Sequence, residues 1–179
     1  MAVSMTTGRI LNIPNILTLA RIALIPVFLL IAYWPPAVGV NGHDGGMTRH
    51  LVLTGIFVVA AVTDWFDGYL ARTLNQTSAF GRFLDPVADK LMVAAALIVL
   101  VQWKPSIAMA FAAIVIISRE ITVSALREWM AELGARTNVA VSTVGKYKTA
   151  FQMIAITVFL LNWQPLETLA YGLLYTSVI

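Results

Sequence analysis

The sequence contains no cysteine and unusually little charge. Of its 179 residues, 59% are hydrophobic and only 12% are charged. Without cysteine the chain can form neither disulfides nor thiolate metal sites, and its redox compartment cannot be inferred. A soluble domain usually carries about 25% charged residues, because its surface faces water. The composition therefore disfavours a soluble helical domain and predicts an integral membrane protein.

The strict two-residue alternation of a membrane barrel is also missing, which leaves helices as the spanning elements. We predict one all-α domain, residues 1–179, with six transmembrane helices that an interfacial amphipathic segment precedes or begins. The first five spans are expected near residues 13–34, 50–74, 80–103, 105–130 and 144–163, and the sixth starts near residue 165. The 15 residues from Pro165 rise only about 22 Å, against a hydrocarbon core of roughly 30 Å. We therefore expect a truncated or oblique sixth helix, and favour truncation.

Proline is sparse, and its positions suggest where helices begin. Pro14, Pro105 and Pro165 suit the first turn of a helix, where the missing N–H costs nothing. Pro86 lies inside the third predicted span. Either that span begins at Pro86, or it kinks there.

Basic residues are distributed unevenly between the two ends of the predicted spans. With the amino terminus inside, all but two of the 12 Lys and Arg residues fall in the cytoplasmic half or close to it. The exceptions are Arg49 and Lys104. This positive-inside bias predicts a multi-pass protein of the bacterial inner membrane with both termini in the cytoplasm.

Aspartates cluster in this otherwise apolar chain. Four of the nine acidic residues lie between positions 63 and 90, at the predicted cytoplasmic ends of the second and third spans. Helical spacing places five residues on one face of the second span, namely Asp64, Asp67, Gly68, Ala71 and Arg72. It likewise places Gly81, Asp85 and Asp89 on one face of the third. Ionisable residues in a membrane span mark a candidate functional site.

Four carboxylates in a low-dielectric pocket require cations. A buried ion-pair network with Arg72, Arg82 and Lys90 is one alternative. Ligands that are all oxygen also suit Mg²⁺ or Mn²⁺, and two such ions can clamp the attacking and leaving oxygens of a phosphoryl group. Glycine at positions 68 and 81 would let a ligand approach the helix backbone closely. We favour a site for two divalent ions that faces the cytoplasm.

The same stretch resembles a known family. The segments DWFDGYLAR and GRFLDPVAD match the pattern D-x2-D-G-x2-A-R-x8-G-x3-D-x3-D of the CDP-alcohol phosphotransferases at all eight fixed positions. The segments NIPNILTLARIALIP, ISREITVSALREWMAELG and VSTVGKYKT are similar to the bacterial branch that makes phosphatidylglycerophosphate. The resemblance implies transfer of a phosphatidyl group from CDP-diacylglycerol to sn-glycerol 3-phosphate, with release of CMP, and a homodimer.

The resemblance also implies roles for individual residues. Asp64, Asp67 and Asp85 would be metal ligands, and Asp89 both a ligand and the general base that takes the proton of the glycerol C1 hydroxyl. The CDP site would comprise Asp64, Gly68, Ala71, Arg72 and Gly81, with weaker contributions from Asn15, Thr18 and Arg21. Residues 12–20 would alternatively form an interfacial helix with Arg21 reaching to the headgroups.

The acceptor carries a phosphate, so a second basic cluster is expected near the aspartates. We predict that Arg119, Arg127 and Lys146 bind glycerol 3-phosphate, with a weaker role for Lys148, because the guanidinium fork suits phosphate. These cations would alternatively reach the lipid headgroups and serve only to orient the protein.

Other functions remain open at this stage. An intramembrane prenyltransferase also holds Mg²⁺ and a diphosphate on aspartates, but would release pyrophosphate rather than CMP. A divalent-cation transporter would need carboxylates near the middle of the membrane. Cardiolipin, serine-lipid or inositol-lipid synthesis would use the same aspartates with another acceptor. A phosphohistidine route is disfavoured, because His43 and His50 are predicted to lie in the far-side loop.

Overall fold

The computed structural model describes residues 13–34, 45–73, 79–133 and 143–178, although some side chains at the helix ends are outside this description. These residues form six α-helices and one 3-10 turn, Gln164–Leu166, and contain no strand. The helices are α1 Ile13–Tyr33, α2 Gly45–Thr73, α3 Ala79–Trp103, α4 Ile107–Glu132, α5 Thr143–Leu161 and α6 Glu167–Val178. The predicted all-α fold is confirmed.

Length and apolar composition make four helices candidates for crossing a membrane. The qualifying segments are Ile16–Tyr33, Gly46–Asp64, Pro86–Trp103 and Ile107–Met130. α5 contains a shorter apolar segment, Tyr147–Leu161, and α6 has 12 residues. Large apolar side chains such as Leu30, Ile98 and Ile114 are exposed on the outside of the bundle, as expected for a surface that faces lipid.

Apolar side chains from all six helices form one continuous core, which includes Phe28, Phe57, Leu97, Ile116, Phe159 and Leu174. α1 packs against α2 and α3, α3 against α4, and α5 against α2 and α6. α3 is the most buried of the four candidate spans. Residues on α3 therefore contact neighbouring helices on several sides.

The helix starts agree only partly with the proline-based prediction. Pro14 is the second residue of α1, and Pro165 lies in the 3-10 turn before α6. α4 begins two residues after Pro105, because Ser106 caps it: the Ser106 Oγ accepts a 3.1 Å hydrogen bond from the Met109 N–H. α3 begins at Ala79 and continues through Pro86, so the alternative in which it begins at Pro86 is wrong.

Polar contacts join several helices at the bundle end that contains Arg49 and Lys104, here called the opposite end. The Arg49 Nη1 donates a 3.1 Å hydrogen bond to the Trp34 carbonyl, and its guanidinium lies 5.0 Å from the centre of the Trp103 ring. The His50 Nδ1 donates to the Leu160 carbonyl at 2.9 Å. His50 lies within α2, so the prediction that it lies in a loop is wrong. His43 lies outside the described residues.

A salt bridge lies at this same end. The Lys104 Nζ, after α3, donates a 2.9 Å hydrogen bond to Glu167 Oε1 at the start of α6. The two cations predicted for this end are thus engaged in contacts within the protein.

Between α5 and α6, Asn162 has φ 54°, a left-handed conformation that asparagine tolerates better than most residues.

Candidate active site

A partly buried ion pair joins α1 to α2. The Arg21 Nη1 donates to Asp64 Oδ1 at 2.5 Å. Arg21 is only 2% exposed, whereas the Asp64 side chain is 41% exposed. Thr18 lies one turn before Arg21 and is fully buried. The alternative in which Arg21 reaches to the lipid headgroups is therefore wrong, because its guanidinium is buried against an aspartate of the predicted site.

Asp89 lies between two small cavities. The first is lined by Asp89, by Arg21 of α1 and by apolar residues of α2, α3 and α5. The second is lined by Asp89 and Lys90 of α3, Glu120 of α4, and residues of α5 that include Gln152. Arg21, which lines the first cavity together with Asp89, is also the hydrogen-bond partner of Asp64. Asp64 of α2 and Asp89 of α3 are thus linked through Arg21, and the meeting of all four aspartates stays a prediction.

A polar network connects α4 and α5 beside the second cavity. The Arg119 Nη2 donates hydrogen bonds to Glu120 Oε1 at 2.9 Å and to Gln152 Oε1 at 2.8 Å. Gln152 is 2% exposed. The Arg119 Nε is also buried and has no hydrogen-bond partner. Arg119 thus faces the interior, and its guanidinium keeps a donor that these two contacts do not use.

Lys90 links α3 to α4. Its Nζ donates a 2.6 Å hydrogen bond to the Ser124 hydroxyl, and its side chain lines the second cavity next to Asp89. The sequence suggested Lys90 only as a partner for the carboxylates. Its described hydrogen bond is instead to a neutral hydroxyl, which does not neutralise the ammonium charge. Lys90 and Asp89 line the same cavity.

Comparison with known proteins places this architecture in a family. A profile of the CDP-alcohol phosphatidyltransferases matches residues 11–179. This chain belongs to that family.

Three curated relatives carry the same name, CDP-diacylglycerol–glycerol-3-phosphate 3-phosphatidyltransferase. The protein of Pectobacterium atrosepticum is 48% identical over 171 residues, which cover 94% of this chain and 87% of the relative. The Haemophilus influenzae protein is 47% identical over 169 residues, with coverages of 94% and 86%. The Escherichia coli protein is 49% identical over 154 residues, with coverages of 86% and 78%. The similarity thus extends over nearly the whole bundle.

The structure describes only the backbone of several residues of the family pattern. Their backbone belongs to the ends of α2 and α3, and they are Asp67, Gly68, Ala71, Arg72, Gly81 and Asp85. The side chains of Asn15, on α1, and Lys146, on α5, are outside it as well. Of the remaining predicted acceptor residues, Arg127 is exposed and Lys148 is half-buried, and neither lines the two cavities beside Asp89.

The described aspartates are chemically suited to a divalent cation of the family site. Asp64 and Asp89 offer carboxylate oxygens from facing helices, and hard ions such as Mg²⁺ and Mn²⁺ prefer oxygen. Among the side chains that the structure describes, no group of three or more His, Asp or Glu is placed to hold a metal. The other two predicted ligands, Asp67 and Asp85, lie outside that set, so the donor chemistry fits and the complete ligand set stays a prediction.

Two polar residues beside the site were not identified from the sequence. Glu120 directly follows Arg119 in the sequence but belongs to no predicted site, and Gln152 carries no charge that would indicate one. A signal for Gln152 existed, since it interrupts the apolar segment Tyr147–Leu161 of α5. Polar residues inside membrane helices usually face the bundle interior, which is where Gln152 lies.

Proposed function

We propose that this protein transfers the phosphatidyl group of CDP-diacylglycerol to sn-glycerol 3-phosphate, giving phosphatidylglycerophosphate and CMP. The observation that carries the proposal is the 48% identity, over 94% of the chain, to a relative whose name describes this reaction. The position of Asp89 in a cavity that is also lined by Arg21, the partner of Asp64, supports it. The protein would thereby act in the biosynthesis of phosphatidylglycerol and cardiolipin.

In the proposed mechanism Asp89 is the general base. Its carboxylate takes the proton of the glycerol C1 hydroxyl, whose oxygen forms a bond to the β-phosphorus of CDP-diacylglycerol. The bond from that phosphorus to the bridging diphosphate oxygen breaks, and CMP leaves with the electron pair. Catalysis of this kind is mostly positioning and charge stabilisation. The position of Asp89 on the wall of both cavities supports the assignment.

We further propose that Asp64, Asp67, Asp85 and Asp89 hold Mg²⁺ or Mn²⁺, two ions per site. Divalent ions there would stabilise the negative charge on the phosphoryl oxygens. Arg21 orients the Asp64 carboxylate from behind through their hydrogen bond. The support within the chain is the oxygen-only donor set and the spacing of the family pattern.

The two substrates would occupy different sides of Asp89. CDP would lie against Gly68, Ala71, Arg72 and Gly81, with Asn15, Thr18 and Arg21 of α1 nearby. Glycerol 3-phosphate would lie towards α4 and α5, with its phosphate near Arg119, Arg127, Lys146 and Lys148. The second cavity, which Glu120 and Gln152 line beside Arg119, supports that division.

We propose that the aspartate end faces the cytoplasm, with both termini on that side. The support is the excess of Lys and Arg towards this end of the chain's helices. A homodimer stays a prediction that rests on the family resemblance alone.

The reaction can be tested with purified protein in detergent, CDP-diacylglycerol, Mg²⁺ and a panel of acceptors. We expect CMP release and a phosphatidylglycerophosphate product only with glycerol 3-phosphate, and loss of both after chelation until Mg²⁺ or Mn²⁺ is restored. CMP release with serine, inositol phosphate or phosphatidylglycerol, but not with glycerol 3-phosphate, would refute the acceptor. Pyrophosphate release from a prenyl donor would refute the reaction class.

A further inference from the structure

Gln152 is a buried polar side chain in the wall of the second cavity. It is 2% exposed, although the surrounding segment of α5, Tyr147–Leu161, is apolar. The cavity that it lines also contains Asp89, Lys90 and Glu120. Gln152 and the proposed general base, Asp89, therefore line the same small cavity.

Arg119 determines which way the Gln152 amide faces. A guanidinium has only donors, so the amide must present its oxygen to it. The structure has this arrangement, with Arg119 Nη2 donating to Gln152 Oε1 at 2.8 Å. Glu120 Oε1 accepts a second hydrogen bond from the same nitrogen at 2.9 Å, which holds the guanidinium in place. The amide nitrogen of Gln152 takes no part in these two hydrogen bonds, and the side chain lines the second cavity.

We propose that Gln152 is a specificity-determining residue for the acceptor alcohol. Its amide nitrogen donates a hydrogen bond to an oxygen of a small phosphorylated polyol, while Asp89, which lines the same cavity, takes the proton of the attacking hydroxyl. Arg119 acts here as a positioning residue, because it fixes the orientation of the amide. The inference rests on the proposed function, since it assigns a further contact to the same acceptor.

The decisive substitution is Gln152→Glu. Glutamate has nearly the same shape, and its carboxylate keeps the contact with Arg119, but it replaces both amide donors with a negative charge that also repels a phosphate. Gln152→Leu removes both contacts. Gln102→Glu and Gln102→Leu are matched controls, because Gln102 is exposed near the opposite end of α3. KM and kcat are measured separately for glycerol 3-phosphate and for CDP-diacylglycerol, together with the melting temperature in detergent.

We expect Gln152→Glu to raise KM for glycerol 3-phosphate by roughly tenfold or more, the loss expected for a buried hydrogen bond to a charged ligand. KM for CDP-diacylglycerol and the melting temperature should stay close to wild type, as should every value for the Gln102 controls. Unchanged KM for glycerol 3-phosphate in Gln152→Glu would overturn the proposal while leaving the reaction intact. A parallel rise in both KM values with a lower melting temperature would overturn it in favour of a structural role. Wild-type protein that releases no CMP with glycerol 3-phosphate would instead refute the proposed function itself.

Discussion

Arg21 on α1 and Asp64 on α2 form an ion pair whose two members differ in their access to solvent. The guanidinium is 2% exposed and the carboxylate 41%. Solvent can therefore reach the Asp64 carboxylate, whereas the buried guanidinium of Arg21 holds its orientation. Arg21 thus connects α1 to an aspartate of the family pattern.

Arg21→Gln should destabilise the protein, because it removes the charge that is buried against Asp64. Since the aspartate keeps access to solvent, we expect a loss of about 1–3 kcal/mol in the free energy of unfolding, less than for a fully buried pair. Thermal unfolding of the purified protein in detergent measures this. Arg127→Gln serves as the stability control, because Arg127 is exposed on α4. Equal melting temperatures for the two variants would show that the ion pair contributes no stability.

Asp89→Asn should abolish most of the activity, because asparagine keeps the shape of the side chain but cannot accept the proton. Loss of a general base typically lowers the rate by about 10²- to 10⁴-fold. The assay is CMP release at saturating substrate. Glu167→Gln is the matched carboxylate control, since Glu167 pairs with Lys104 at the opposite end and its loss should leave the rate unchanged. If Asp89→Asn kept half of the wild-type rate, another group would have to be the base.

Leu97 and Ile98 are neighbours on α3 with opposite environments. Leu97 is fully buried in the core, whereas Ile98 is 55% exposed on the lipid-facing side. Leu97→Ala should cost about 2–4 kcal/mol, because it leaves a cavity in packed helices. Ile98→Ala should cost much less, because lipid or detergent fills the space. Melting temperatures test the difference, and equal losses would mean that this side of α3 is covered by protein.

The absence of cysteine makes the proposed orientation directly measurable. Ser106→Cys places a thiol just before α4 at the opposite end, and Leu133→Cys places one after α4 at the aspartate end; both positions are exposed. A membrane-impermeant maleimide applied to intact spheroplasts should label only Ser106→Cys. In inverted vesicles it should label only Leu133→Cys. The reverse pattern would place the aspartates outside the cytoplasm.

The sequence predicted the helices well because their signal is local. Apolar runs and flanking turn residues gave the extent of α1, α2 and α3 to within a few residues. The packing of α2, which carries Asp64, against α3, which carries Asp89, was also predictable, since the connection between the helices is short. Ser106 shows the limit of this reasoning: its hydroxyl, and not Pro105, caps α4, and the two signals are adjacent in the sequence.

Contacts between distant segments could not be predicted in the same way. Arg21 and Asp64 are 43 residues apart, and Arg119 and Gln152 are 33 apart. Which of several arginines meets which polar group depends on how the helices rotate and pack, and hydrophobic periodicity does not specify that. Gln152 was not predictable for a related reason, because the role of an uncharged amide depends on neighbours that its own sequence position does not reveal.

Three of the cations described at the aspartate end each lie beside a carboxylate. Arg21 is matched by Asp64 and Arg119 by Glu120, and the ammonium of Lys90 lies near Asp89. A phosphate-bearing substrate that enters this set adds negative charge, which favours the simultaneous uptake of cations. Thermodynamic linkage makes the effect reciprocal, so each species raises the affinity for the other by the same factor. Titrating divalent ions with and without glycerol 3-phosphate should therefore give two different dissociation constants, with the tighter one in the presence of the substrate.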